Sequence, residues 1–113
     1  MSPPLRVVLA DREGAARRAL AGLLAGLDGV VLADVAGDRE ELAAVLHKSP
    51  VDVLVIDDRL LGGDKDLGTD AVRVLVLGVD DDPAFAARAR RLGAEEWIAK
   101  DRADERLSAL LAC

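Results

Sequence analysis

Short apolar runs rich in valine alternate along this chain with stretches whose apolar residues recur every three or four positions. The runs are LRVVLA (5–10), VVLADVA (30–36), VDVLVI (51–56), AVRVLVLG (71–78) and AEEWIA (94–99). Each has the length of a strand, and their near-continuous apolar character predicts burial on both faces, as in a parallel sheet. Between them, Leu20, Leu23, Leu24 and Leu27 mark the inner face of a helix over 14–27. Leu42, Val45 and Leu46 mark a second helix after Asp38, an N-cap whose capping-box partner is Glu41. Pro83 suits the first turn of a helix capped by Asp82, which runs through Phe85, Ala89 and Leu92 and stops at Gly93. A last helix over 102–111 turns Leu107, Leu110 and Leu111 inward. Strands alternating with helices predict an α/β fold with right-handed crossovers.

One interval breaks the rhythm. The segment DRLLGGDKDLGTDA, between Asp57 and Val72, carries three glycines, four acids and no helical stripe. A parallel crossover needs about a dozen residues and usually a helix. This one has the length but not the pattern, so the third helix is expected to be a single turn or missing. Its loss should uncover part of one sheet face, and exposed apolar area of that kind marks a partner surface near 58–72.

Composition narrows the class. The 113 residues suffice for one domain, 1–113, with its own core. No apolar run approaches the ~20 residues that span a bilayer. The start, MSPPLRVVLAD, lacks the basic flank and apolar core of a secretory signal. Cys113 is the only cysteine, so no disulfide forms within the chain, and a reducing, cytoplasmic setting is expected. The net charge is −6, and Phe85 and Trp97 are the only aromatics. The domain itself therefore lacks the basic face and stacking residues of a nucleic-acid binder. Contact with DNA would fall to an output domain past Cys113.

In an open parallel sheet, function gathers at the carboxyl ends of the strands. Those ends bring Asp11, Arg12 and Glu13 from the first strand and Asp57 and Asp58 from the third. They also bring Gly78 followed by Asp80–Asp82 from the fourth, and Lys100 and Asp101 from the fifth. Lys100 is one of three lysines. Clustered carboxylates repel unless a cation compensates. Oxygen ligands in that setting suit Mg²⁺, and a carboxylate beside such an ion and a lysine can accept a phosphoryl group.

The segments LRVVLADRE, VDVLVIDDRLLG, VRVLVLG and LGAEEWIAKD, in this order and spacing, resemble the receiver domain of bacterial response regulators. The likeness is greatest to the subfamily whose receivers precede a helix-turn-helix output domain. The resemblance implies a flavodoxin-like three-layer sandwich with a five-stranded parallel sheet of order 2-1-3-4-5. It places Asp57 at the phosphoacceptor position, Lys100 at the family's lysine and Trp97 at the aromatic that changes rotamer on activation. It makes Asp11 a metal-site acid, and Arg59 the residue whose backbone carbonyl ligates Mg²⁺. It also implies a sensor histidine kinase as partner, and a homodimer or a contact with an output domain.

The departures are as specific. Arg12 stands where the family carries its second metal-site acid, and its guanidinium is expected to pair with Asp57. Glu13 and Asp58 are the acids left to substitute as ligands. Gly78 stands where the family carries a Thr or Ser hydroxyl, and Leu61 where it carries proline. Two mechanisms follow for an atypical, non-enzymatic receiver. In one, Asp57 is phosphorylated with Mg²⁺ at Asp11 and Asp57. In the other, which the departures favour, fixed cations hold Asp57 and control is independent of phosphorylation, with Mg²⁺ weakly bound or absent.

Three plainer roles stand beside these. Asp11 serves equally as a loop cap, Trp97 as a half-buried core residue, and Arg88, Arg90 and Arg91 as a solvated helix face. Two further classes remain. A flavodoxin-like cofactor or nucleotide domain needs a phosphate loop and flavin-stacking aromatics, which ADREGAA and its surroundings do not provide. A pure interaction scaffold would use the surface near 58–72.

Overall fold

Strand β1 (Leu5–Ala10) opens the fold, with Val7, Val8, Leu9 and Ala10 all fully buried. In this computed structural model, residues 3–48, 50–61, 73–79, 83–91 and 93–111 are described. After β1 come α1 (Gly14–Ala25), β2 (Val30–Ala36), α2 (Arg39–Lys48), β3 (Val53–Asp57) and α3 (Asp58–Leu61). Then follow β4 (Arg73–Gly78), α4 (Pro83–Arg91), β5 (Glu96–Ala99), a 3₁₀ turn over Lys100–Arg102 and α5 (Ala103–Leu111). The strands form one parallel sheet of order β2-β1-β3-β4-β5, the order that the resemblance implied.

The twofold side-chain period sorts the strands into two cores. Val8, Ala10, Leu54, Ile56, Val74 and Val76 face one layer, where Leu42 and Val45 of α2, Leu60 of α3 and Ala89 of α4 close over them. Val7, Leu9, Val53, Val55, Leu75 and Leu77 face the other, against Leu20 and Leu24 of α1 and Leu107 and Leu111 of α5. The leucines of the helical stripes thus point where their period placed them. Leu107 is fully buried, so truncating it to alanine would cost about 3 kcal/mol.

Local chemistry sets the boundaries. The Glu41 N–H donates to Asp38 Oδ1 at 2.8 Å, half of the expected capping box. The returning Glu41 carboxylate accepts instead from the Gly37 N–H at 3.4 Å, one residue before the cap. Gly93, just past α4, has φ +92°, a conformation that a residue with a Cβ rarely takes. The expected start of β3 at 51 is corrected to Val53, and Asp57 belongs to the strand itself. The fifth strand likewise begins at Glu96 and not at Ala94. Asp80–Asp82, Leu92 and Cys113 lie outside the described residues.

The third crossover begins with the single turn α3, as its missing stripe predicted, and 62–72 lie outside the described residues. The expected uncovered sheet face is a correction. Leu54, Ile56 and Val76 are fully buried and Val74 is 8% exposed. Leu60 of α3, itself 3% exposed, packs onto that face beside α2.

Candidate functional site

Two acids are buried at the carboxyl edge of the sheet: Asp11, fully, and Asp57, at 1% exposure. Asp11 follows β1 directly, and its Oδ1 accepts the Glu13 N–H at 2.9 Å, a local turn that leads into α1. Its backbone carbonyl accepts from Arg17 Nη1 at 2.8 Å, which ties the first turns of α1 to the end of β1. Asp57 closes β3, and its Oδ1 accepts the Arg59 N–H at 3.2 Å. Asp11 is therefore the loop cap that the plainer reading made it, and it is also part of a charge cluster.

Lys100 joins the two acids. Its Nζ lies 2.9 Å from Asp11 Oδ2 and 3.5 Å from Asp57 Oδ2. The shorter contact is an ion pair by distance whose angles fall outside hydrogen-bond geometry, leaving both Asp11 Oδ2 and Lys100 Nζ without a hydrogen-bond partner. Lys100 directly follows β5 and opens the 3₁₀ turn, which places it at the carboxyl edge of the sheet.

The guanidinium on Asp57 is Arg59. Its Nη2 and Nε lie 3.1 and 3.3 Å from Asp57 Oδ2, and Nη2 is 4.0 Å from Glu13 Oε2. The expected pairing of Arg12 with Asp57 is corrected accordingly: Arg12 is exposed. Arg59 sits two residues after Asp57 in the first turn of α3, so one residue supplies both a backbone and a side-chain donor to the same carboxylate. The resemblance gave Arg59 only a carbonyl role. The D-x-R spacing at a strand end was the available signal for its side chain.

Burial by itself would raise the Asp57 carboxyl. The Arg59 N–H, the Arg59 guanidinium and the Lys100 charge outweigh it and hold the acid below its ordinary value. Arg59 is correspondingly raised, first by its hydrogen bond to Asp57 and then by that acid's charge.

Mg²⁺, which the resemblance implied, does not fit these donors. Asp11 and Asp57 face two cations already within ion-pair distance, Lys100 and Arg59. A divalent ion would add charge to a balanced set and would meet the Arg59 guanidinium on Asp57 Oδ2. The substitute acids face arginines as well, Glu13 the Arg59 guanidinium at 4.0 Å and Asp58 one from α4. Asp58 Oδ1 accepts from Arg88 Nη1 at 3.2 Å, and Glu13 is exposed. No group of three potential metal ligands occurs among the described residues. Arg88 is thus drawn from the expected solvated face into an ion pair, while Arg90 and Arg91 are exposed.

Beside this cluster lies a small cleft of about 110 Å³ lined by Asp57, Asp58, Arg59, Gly78, Val79, Phe85 and Trp97. Pockets for drug-sized ligands and cofactors run to about 300–1,000 Å³, so this one does not hold a flavin or a nucleotide. Trp97 stacks on Phe85 with ring centroids 5.9 Å apart and planes at 15°. Of the residues named at the strand ends, Asp11, Asp57 and Lys100 form the cluster and Asp57, Asp58 and Gly78 line the cleft, whereas Arg12 and Asp101 are exposed and Asp80–Asp82 lie outside the described residues.

These features define a doubly wound α/β domain whose carboxyl edge carries a lysine-bridged pair of buried acids. Among solved structures, that fold is the one taken by signal receiver domains. RcsB, a response regulator of Salmonella typhimurium solved in a study of DNA interaction, is 20% identical with a TM-score of 0.82. The match covers 96% of this chain and 58% of RcsB, so this chain spans little more than half of that protein. The signal receiver domain of NarL from Mycobacterium tuberculosis is 22% identical over 96% of this chain and 94% of its own, also at 0.82. A crystal structure of the P1 domain of CheA3 in complex with CheY6 from R. sphaeroides supplies a match at 24% identity and TM-score 0.78, over 97% and 98%. Identities this low establish the fold. No protein-family model matches the sequence, and no curated protein matches it. No helix among the described residues is long and apolar enough to cross a membrane.

Proposed function

We propose that this chain is an atypical receiver domain, a cytoplasmic signalling module and not an enzyme, which works without metal-assisted phosphorylation of Asp57. One observation carries the reading: the Asp57 carboxylate already holds three donors from Arg59 and the charge of Lys100. In that state the acid is a fixed anion inside a neutral cluster, and its carboxylate is not free to attack a phosphoryl group. The domain then regulates its output through association, as a homodimer or against an output domain. The fold shared with RcsB supports a transcriptional output.

The second reading is a phosphorylation-competent receiver that uses Mg²⁺ at Asp11 and Asp57 and is served by a sensor kinase. It is favoured by the place of Asp57 on the cleft wall next to Lys100.

Incubation with acetyl phosphate and Mg²⁺, read by intact mass, separates the two. The expected result is no phosphoryl adduct. An adduct that forms on the wild type and is lost in Asp57→Asn overturns the proposal. Sedimentation over a range of concentrations tests the association: a self-associating species that beryllofluoride leaves unchanged is expected, and an association state reset by that phosphoryl mimic counts against it.

A further inference from the structure

Gly78 ends β4, and on the neighbouring strand Val76 pairs with Trp97 and Gly78 with Ala99. Val76 and Gly78 are two residues apart and share a sheet face, so the indole of Trp97 leans along the strand onto Gly78. The approach is extreme. A Cβ at position 78 would meet Trp97 Cζ2 at 2.2 Å, Cε2 at 2.6 Å and Nε1 at 2.9 Å. At Gly37 the close atom is the end of a flexible arginine, Arg17 Nη1 at 2.8 Å, which can move aside. At Gly78 it is a rigid ring, and Phe85 is stacked against that ring.

The indole gains nothing from hydrogen bonding in this position, since its Nε1 is buried without a partner. A buried unpaired donor is unfavourable, so shape alone holds the ring there: the missing side chain at 78 and the Phe85 stack. We propose that Gly78 and Trp97 form a steric interlock that fixes the aromatic in one inward rotamer. The β4–β5 edge then presents a single surface whatever the state of Asp57, and Trp97 does not act as a moving reporter between the acid cluster and the outer face. This inference goes beyond the signalling reading and stands on packing.

Trp97 is the only tryptophan, so its fluorescence reads the interlock directly. Gly78→Ala is expected to drive the ring outward, with red-shifted emission and stronger acrylamide quenching. Overpacking of one methyl group also lowers the folding equilibrium constant roughly tenfold. Trp97→Leu vacates the slot, so the double variant Gly78→Ala/Trp97→Leu is expected to recover most of what Gly78→Ala loses relative to its own parent.

Wild-type emission and stability in Gly78→Ala overturn the interlock, and so do losses that simply add in the double variant. If Gly78→Ala does not fold, a folded double variant supports the interlock. An unfolded double variant beside a folded Trp97→Leu overturns it. A phosphoryl adduct on wild-type Asp57 would sink the functional reading and leave these outcomes untouched.

Discussion

At the carboxyl edge of the sheet, Asp11, Asp57, Lys100 and Arg59 are held by charge, whereas Gly78, Trp97 and Phe85, on the far side of one small cleft, are held by shape. Both groups leave an unsatisfied buried atom behind: Lys100 Nζ and Asp11 Oδ2 in the first, Trp97 Nε1 in the second. The two respond to different conditions. Interaction between charges follows pH, and salt where the partners reach water. Packing of a ring against a backbone follows neither. A change that reaches one half should therefore leave the other in place, and each expected result below tests that independence.

The largest effect is expected for Lys100→Met. Lys100 is the only cation within ion-pair range of Asp11 among the described contacts, and it also faces Asp57, both acids being almost wholly buried. Its removal leaves two buried carboxylates near each other with one of them uncompensated, a loss of about 3 kcal/mol. Urea unfolding at neutral pH measures it. Trp97 emission in the folded variant should match the wild type, and a shifted emission would show that the halves are coupled.

Acid comes next. The Asp57 carboxyl is held below the value near 3.8 that it has when unfolded. The folded state therefore binds the proton less readily than the unfolded chain. The stability this contributes is complete above about pH 3.8 and disappears as pH falls through the lower folded value. Asp57→Asn should flatten that part of the curve of urea midpoint against pH. An unchanged acid limb in the variant would mean that the cluster does not hold the acid. On the shape side, Phe85→Leu removes one ring of the stack and should cost about 1 kcal/mol at any pH and salt.

The same division explains what was legible in the sequence. Strands, helix faces and the 2-1-3-4-5 order follow from period and spacing, or from a resemblance carried by whole segments. The positions of Asp11, Asp57 and Lys100 follow because strand ends converge in this topology. What the sequence hid were side-chain directions. Arg12 was expected to meet Asp57, but a residue next to an inward Asp11 turns outward, and Arg59 two places after Asp57 turns in. Arg88 finds Asp58 across 30 residues of sequence. Gly78 and Trp97 were each singled out, but the ring filling the place of the missing side chain is a contact between strands that no one-dimensional pattern displays.

Arg59→Met sharpens the comparison with the smallest expected effect. The variant keeps the backbone N–H that donates to Asp57 Oδ1 and removes only the guanidinium, whose side chain is 49% exposed. Solvent screens a pair of this kind, so the loss of stability should be well below that of Lys100→Met. It should also shrink further as salt is raised towards about 1 M, where charges are screened within about 3 Å. The Asp57 carboxyl should rise towards its ordinary value, since one of its stabilising partners is gone while burial remains. The acid limb of the stability curve then still begins near the ordinary value but ends at higher pH, and is smaller than in the wild type. Titration of Asp57 by carboxyl-carbon NMR measures this directly. An unmoved Asp57 would assign its low value to Lys100 and the Arg59 N–H, and would leave the guanidinium as a cover over the cleft and not a member of the charge cluster.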